Sequence, residues 1–162
     1  MASEGVVRTG EVLDDAAIYA LHARRLVALA TALAGPATAE DVVSSAVARV
    51  LGSPGWASVA DRGAYLTRAV VNEVRSNHRS SMRRAARERR AAAPRPAVDP
   101  EDPVPEIMTA LAELPVRQRA VVFLTYWADL TPAAVAAELD ISEGSVRQHL
   151  ARARRTLRRT LR

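Results

Sequence analysis

Apolar residues recur every three to four positions along most of this chain, the spacing that places side chains on one face of an α-helix. The first stripe runs from residue 14 to Gly35-Pro36, a pair that stops a helix. A second predicted helix is capped by Thr38 and carries the apolar positions Val42, Val43, Ala46, Val47 and Val50. The third extends from residue 64 to about residue 90 and loses its apolar face after Val74, so we expect its second half to protrude.

A proline-rich acidic stretch, AAAPRPAVDPEDPVPE, interrupts this helical pattern. Proline lacks a backbone donor and breaks helices, so we predict a linker over residues 91–105. Four shorter helical segments follow, in which Pro115 suits a first helical turn and Thr131 and Ser142 suit N-caps. The pattern therefore predicts an all-α fold of two small helical domains, residues 14–90 and 106–162, joined by that linker.

The residue composition and motifs argue against several kinds of site in this chain. It has no cysteine, and His22, His78 and His149 lie far apart, so the sequence predicts no thiol chemistry and no metal site. We recognise neither a glycine-rich phosphate loop nor a catalytic triad, and we expect no cofactor and no enzymatic activity. The opening stretch lacks a signal-peptide pattern, and no apolar run reaches the roughly 20 residues of a bilayer span. We therefore expect a cytoplasmic protein without membrane insertion.

Arginine supplies the whole positive charge, because the 23 basic residues include no lysine, and the formal net charge is +5. The C-terminal stretch DISEGSVRQHLARARRTLRRTLR holds seven of these arginines and only two acids, Asp140 and Glu143. A second arginine-rich stretch lies between Arg75 and Arg95. A basic balance suits a polyanionic partner, and the placement of the charge matters more than its total.

Residues 131–159 have the spacing of a helix-turn-helix, in which the second helix enters the major groove of DNA. The two helices are predicted to pack through Val135, Leu139, Ile141, Val146 and Leu150, and the apolar stripe of the second continues through Ala153, Leu157 and Leu161. Its opposite face carries Gln148, Arg152, Arg155 and Arg159. An arginine-rich face is often merely solvated. This one has almost no acids for the i,i+4 pairs of ordinary surface helices, so we favour DNA contact.

The stretch LPVRQRAVVFLTYWADLTPAAVAAELDISEGSVRQHLARARRTLR resembles the promoter-binding C-terminal domain of bacterial sigma factors. The upstream segments AEDVVSSAVARVL and AYLTRAVVNEVRSNHRS resemble the sigma domain that binds the polymerase clamp and opens the promoter. Two such domains and a linker are the layout of the extracytoplasmic-function (ECF) group. The resemblance implies core RNA polymerase and promoter DNA as partners, with an anti-sigma factor as a further one.

The resemblance also implies roles for individual residues. The positions matching those that meet the minus-35 element are Ser145, Arg147, Gln148, Arg152 and Arg155, the last on phosphate. Arg can bond two guanine acceptors and Gln can pair with adenine, so these side chains suit base readout. The positions matching the minus-10 strand are Arg68, Asn72, Arg75 and Arg79, with Trp56 or Tyr65 as a stacking face for an unstacked base.

The family's surface for the polymerase clamp matches Asp41, Ser44, Val47 and Arg49. Ser44 and Val47 replace the family's usual Gln and Phe, and Asp140 occupies a position where a turn glycine is common. Two alternatives therefore stay open: a helix-turn-helix regulator of another class, and a degenerate sigma-like protein that binds a partner without initiating transcription. A plain regulator would not need the first half of the chain.

Overall fold

The computed structural model describes residues 14–91 and 106–161, and these ranges form seven α-helices and no strand. The predicted all-α fold is therefore confirmed. The linker predicted over 91–105 lies outside the described residues, apart from Ala91 at the end of a helix. In chain order the helices are α1 (Asp15–Ala34), α2 (Pro36–Leu51), α3 (Arg62–Ala91), α4 (Glu106–Ala112), α5 (Val116–Tyr126), α6 (Pro132–Leu139) and α7 (Glu143–Thr160).

Helices α1, α2 and α3 pack on one another and form the N-terminal bundle. The Asp14 side chain caps α1 by accepting from the Ala17 backbone N–H at 2.7 Å. Gly35, at φ 86°, makes the turn between α1 and α2, a conformation that glycine adopts without strain. Helix α2 then begins with Pro36 at its first position, so the prediction that Thr38 caps this helix is wrong. The Thr38 hydroxyl instead donates to the Ala34 carbonyl at 2.9 Å.

Helix α1 is the one described helix whose length and apolar content would suffice to cross a bilayer. One stripe of it packs into the N-terminal bundle, where Ile18, Leu26, Leu29, Ala30 and Leu33 are buried. Packing against α2 and α3 therefore accounts for this stripe, while Leu21, outside it, is 72% exposed.

Helix α3 is the longest element, and only its first half has a buried face. Leu66, Val70, Val71 and Val74 are buried against α1 and α2. Residues 77–84 are all exposed, so the second half extends beyond the bundle, as the loss of apolar periodicity after Val74 predicts.

Helices α4 to α7 form the C-terminal bundle, with Leu114, Val121, Leu124, Val135 and Val146 fully buried. The predicted caps of its last two helices are confirmed: the Thr131 hydroxyl accepts from the Ala134 N–H, and the Ser142 hydroxyl accepts from the Ser145 N–H. Between these helices Asp140 closes α6 in the left-handed conformation, at φ 53° and ψ 54°.

The two bundles pack directly against each other. Helix α6 lies against α3, and α5 lies against both α1 and α3, so buried residues of both bundles belong to one apolar cluster. The Arg119 guanidinium reaches across this contact and donates to the Leu33 carbonyl at 2.8 Å. Burial lowers the pKa of Arg119 from its ordinary value.

The left-handed turn at Asp140 should be sensitive to the shape of its side chain. Because a β-branched residue tolerates this conformation poorly, we expect Asp140→Val to lower the unfolding free energy by about 1–2 kcal/mol. Asp140→Gly should leave it unchanged or raise it. Urea denaturation measures both, with Ala133→Val on the exposed face of α6 as the matched control for helix propensity. A loss from Asp140→Gly as large as that from Asp140→Val would contradict the conformational explanation.

Candidate nucleic-acid interface

Helix α7 presents the polar face that the sequence predicts for DNA contact. Arg147, Gln148, Arg152 and Arg155 are all exposed, while Val146, Leu150 and Ala153 are buried on the opposite side. Ser145 is half-buried, and its hydroxyl lies 2.9 Å from that of Ser142. The five residues predicted for the minus-35 element thus lie along one helix. The apolar stripe is shorter than predicted, because Leu161 at its end is 45% exposed.

Arg147 stands near the N-terminus of α7 with its side chain largely free for a ligand. Its only described ion pair is with Glu143, one turn earlier, at 3.6 Å. Both side chains are more than half exposed, and exposed pairs of this kind stabilise a protein by well under about 1 kcal/mol. The pair is therefore easily exchanged for a contact with a base or phosphate.

Four residues predicted for the minus-10 strand follow one another along α3. Arg68 and Arg75 are half-buried, while Asn72 and Arg79 are exposed. The Arg68 guanidinium lies over the Tyr65 ring, 5.7 Å from its centroid, and also donates to the Ala137 carbonyl of α6 at 3.1 Å. Arg68 therefore serves in the contact between the bundles in this structure.

The role predicted for Trp56 as a stacking face needs correction. The ring is only 5% exposed, and its indole N–H donates to the Asp15 carboxylate at 2.7 Å. Arg62 covers the ring at 4.9 Å from its centroid, and the Tyr65 ring packs beside it. Because the ring is buried in this way, Trp56 is a core residue of the N-terminal bundle and is not accessible to a base in this structure.

The residues predicted for the polymerase clamp lie along α2 but differ in accessibility. Asp41 and Ser44 are exposed, whereas Val47 is half-buried and packs against the apolar core. Arg49 is exposed and forms a salt bridge with Glu73, a buried carboxylate of α3. Asp41, Ser44 and Arg49 are thus exposed to a partner, with Arg49 already paired to Glu73, whereas Val47 is only partly accessible.

A cavity of about 140 Å³ lies between the two bundles. Its lining combines α3, α5 and the turn between α6 and α7: Arg68, Val71, Asn72, Arg117, Val121, Leu139, Asp140 and Ile141. The sequence pattern does not indicate this cavity, because its two walls come from bundles separated by the linker.

Arginines around this cavity contribute to lowered pKa values of two nearby side chains. Burial, and then the guanidiniums of Arg117 and Arg79, lower the pKa of Arg75. Burial, and then Arg117 and Arg152, lower the pKa of His149 below its ordinary value. Arg117 of α5 therefore influences Arg75 of α3 across the contact between the bundles, and His149 of α7 within the C-terminal bundle.

The C-terminal bundle matches a known family. Residues 105–157 match the family model described as sigma-70, region 4. The C-terminal bundle is therefore similar to sigma-70 region 4, and we call it region 4. The match begins at the end of the predicted linker and ends within α7, so it includes α6 and most of α7.

The fold of the whole chain also has a solved counterpart. The sigma factor RpoE from Bartonella quintana, crystallised in complex with the anti-sigma factor NepR, superposes with a TM-score of 0.67 at 22% identity. The match covers 89% of this chain and 94% of that chain. No curated protein matches this chain. The family model thus supports the predicted resemblance to sigma factors for the C-terminal bundle, and the solved structure shows that the fold is shared.

An ion pair that the sequence reasoning missed connects region 4 to the N-terminal bundle. Arg25 of α1 donates to both carboxylate oxygens of Glu138 on α6, at 2.8 and 3.3 Å. The same guanidinium donates to the Thr67 hydroxyl at 3.1 Å. The two charged residues are 113 positions apart, and no local pattern in the sequence relates them.

This contact, the Arg25–Glu138 clasp, should contribute measurably to stability because it is bidentate and half-buried. We expect a double-mutant cycle with Arg25→Ala and Glu138→Ala to give a coupling of about 1–2 kcal/mol in urea denaturation. The exposed Arg147 and Glu143 pair is the matched control and should give about 0.3–0.5 kcal/mol. Equal couplings for the two pairs would show that the clasp is no stronger than a solvated surface contact.

Proposed function

We propose that this chain is a sigma factor that binds core RNA polymerase and directs it to a promoter with minus-35 and minus-10 elements. In this proposal region 4 reads the minus-35 element through α7, and the N-terminal bundle binds polymerase and the minus-10 strand. The observation that carries it is the exposed row of Arg147, Gln148 and Arg152 on an N-capped second helix of a region 4 domain.

The side chains of this row have the chemistry that base readout requires. A guanidinium matches the two acceptors of guanine, and a carboxamide matches adenine in the major groove. Arg155 and the arginines beyond it lie farther from the helix N-terminus and suit phosphate contacts, which fix register and make affinity depend on salt.

The proposed promoter contacts require the bundles to separate. The numbers in the names of the two elements place them about 25 base pairs apart. At roughly 34 Å per ten base pairs, this separation is about 85 Å of DNA. In this structure Arg68, proposed for minus-10, bonds directly to α6 of the helix-turn-helix. One compact molecule cannot reach both elements, so we infer that the structure represents the free protein, and that polymerase binding accompanies opening.

An anti-sigma factor is a further proposed partner. The solved structure with the same fold is a complex of a sigma factor with such a protein, and it matches nearly the full length of this chain. We extend this type of partner to the present chain because both bundles take part in the shared fold.

A second candidate is a sigma-like protein that binds a partner without initiating transcription. The inward packing of Val47 favours it, because the exposed groups left on the proposed clamp surface are the small Asp41 and Ser44 and an Arg49 that is already paired with Glu73. Large anchoring side chains usually dominate the energy of protein interfaces.

Reconstitution with polymerase separates these candidates. We expect the purified chain to co-elute with sigma-free core polymerase, and the complex to initiate transcription at a promoter selected from a random library. Co-elution without initiation would favour the second candidate, and failure to form a complex would contradict the sigma-factor proposal. Asp41→Arg on the proposed clamp surface should weaken co-elution, while Glu40→Arg, also exposed and adjacent, is the matched control.

We expect Arg147 to distinguish the promoter from other DNA sequences, and to contribute little to the affinity for DNA of any sequence. We expect Arg147→Ala to weaken binding to the selected promoter by about 1–3 kcal/mol and to change binding to random DNA little. Arg158→Ala, in the exposed last turn of α7, should weaken both DNAs equally and reduce the salt dependence. Fluorescence anisotropy at two salt concentrations measures both effects. If Arg147→Ala weakens binding to both DNAs equally, Arg147 contacts phosphate and not a base.

A further inference from the structure

The cavity between the bundles has more positive charge than its own protein groups neutralise. Arg68 and Arg117 line it from opposite bundles, and Asp140 is the one carboxylate among its lining residues. The Asn72 amide adds a neutral polar group to the same wall. Two arginines therefore converge on a space that contains a single described acid.

The nearby acids on the flanking helices are already engaged elsewhere. Glu138 on α6 is held by Arg25, Glu73 on α3 is paired with Arg49, and Glu143 on α7 is paired with Arg147. Helix α5 contains no acid. Arg117 has no ion pair or side-chain hydrogen bond with any residue in the described ranges. The closed arrangement thus brings guanidiniums together without a matching set of carboxylates.

The positive charge extends beyond the lining. Burial and then the charge of Arg117 lower the pKa values of both Arg75 on α3 and His149 on α7, so this charge reaches groups of both bundles. Like charges held together in a half-buried space oppose the contact that holds them, and a bound anion relieves this repulsion.

We propose that this cavity binds a phosphate oxyanion, held between Arg68 of the N-terminal bundle and Arg117 of region 4. Arginine presents a planar fork of donors that matches phosphate geometry, and the Asn72 amide supplies a further donor. The volume of about 140 Å³, several times the roughly 30 Å³ of a water molecule, accommodates a small phosphate oxyanion. This small size favours a free anion such as phosphate or pyrophosphate over a nucleic-acid strand.

An anion bound here connects the two bundles and stabilises the closed arrangement. Arg68 and Asn72 are also proposed to meet the minus-10 strand, so the anion and promoter DNA compete for the same groups. This regulatory consequence rests on the proposed function, whereas anion binding itself does not. A ligand that prefers the closed state shifts the population toward it by its difference in affinity for the two states.

Pyrophosphate binding to the full-length chain tests the site without DNA or polymerase. We expect saturable binding in isothermal titration calorimetry at constant ionic strength, weakened at least tenfold by Arg117→Ala. Asp140→Asn should strengthen binding, because it removes the competing carboxylate and asparagine tolerates the left-handed conformation. Arg24→Ala, an exposed arginine of α1 away from the cavity, is the matched control and should bind as the wild type does. Absence of saturable binding, or equal losses from Arg24→Ala and Arg117→Ala, would overturn the proposal.

A second arm distinguishes a free anion from a nucleic-acid backbone. A short single-stranded oligonucleotide of random sequence is titrated under the same conditions as pyrophosphate. Oligonucleotide binding that depends on Arg117, with no pyrophosphate binding, would overturn the small-anion site in favour of a strand-binding cleft. Competition of pyrophosphate against the oligonucleotide, lost in Arg117→Ala, would support the site.

A distance measurement tests the link to closure. The chain has no cysteine, so Ala37→Cys on α2 and Ala133→Cys on α6, both exposed, accept a fluorophore pair selectively. We expect pyrophosphate to raise the transfer efficiency in the wild-type background and to leave it unchanged with Arg117→Ala. If calorimetry shows binding but the transfer efficiency shows no change that depends on Arg117, the anion does not bridge the two bundles and this part of the proposal is overturned. Failure of transcription initiation alone would bear only on the proposed function.

Discussion

The contact between α6 and the N-terminal bundle is the constraint on which the rest of this structure depends. The helix-turn-helix does not stand free, because Glu138 of its first helix is fixed by Arg25, and Ala137 accepts from Arg68. Both links use a guanidinium from the N-terminal bundle and an acceptor on α6. The position of the recognition helix relative to α3 therefore follows from two arginines and the apolar surface between them.

Helix boundaries and caps were predictable because they depend on local chemistry. Thr131 and Ser142 are followed by the backbone N–H groups that their hydroxyls accept from, whatever the rest of the chain does. The apolar stripes of α2 and α7 follow from the helical repeat for the same reason. The prediction that Thr38 caps α2 is wrong because two helix-start signals lie close together in the sequence. Gly35 and Pro36 already start α2, so Thr38 lies inside the helix.

The candidate sites were less predictable because their accessibility is decided by tertiary contacts. Trp56 has the aromatic ring that base stacking requires. Its indole N–H, however, donates to Asp15, 41 residues earlier, and this bond holds the ring in the core. Val47 lies on the predicted clamp helix, but it turns toward the apolar cluster. The clasp between Arg25 and Glu138 and the cavity at Arg117 join residues from both sides of the linker, and neither helical periodicity nor local spacing relates such residues.

The same arginines serve two opposing requirements, and this sets the energetics of the molecule. Arg68 stabilises the closed form by bonding to α6, while the repulsion between Arg117 and Arg75 disfavours that form. If the open form were about 10% of the population, every ligand that needs it would bind about 10-fold more weakly than its intrinsic affinity, a cost of about 1.4 kcal/mol. In the proposed function, a partner that binds the separated bundles, or an anion that holds them together, therefore changes promoter affinity without contacting α7. The bidentate contact at Glu138 does not involve Arg147 or Gln148, the residues proposed to read bases. The choice of DNA sequence and the fraction of molecules open to DNA can therefore change independently.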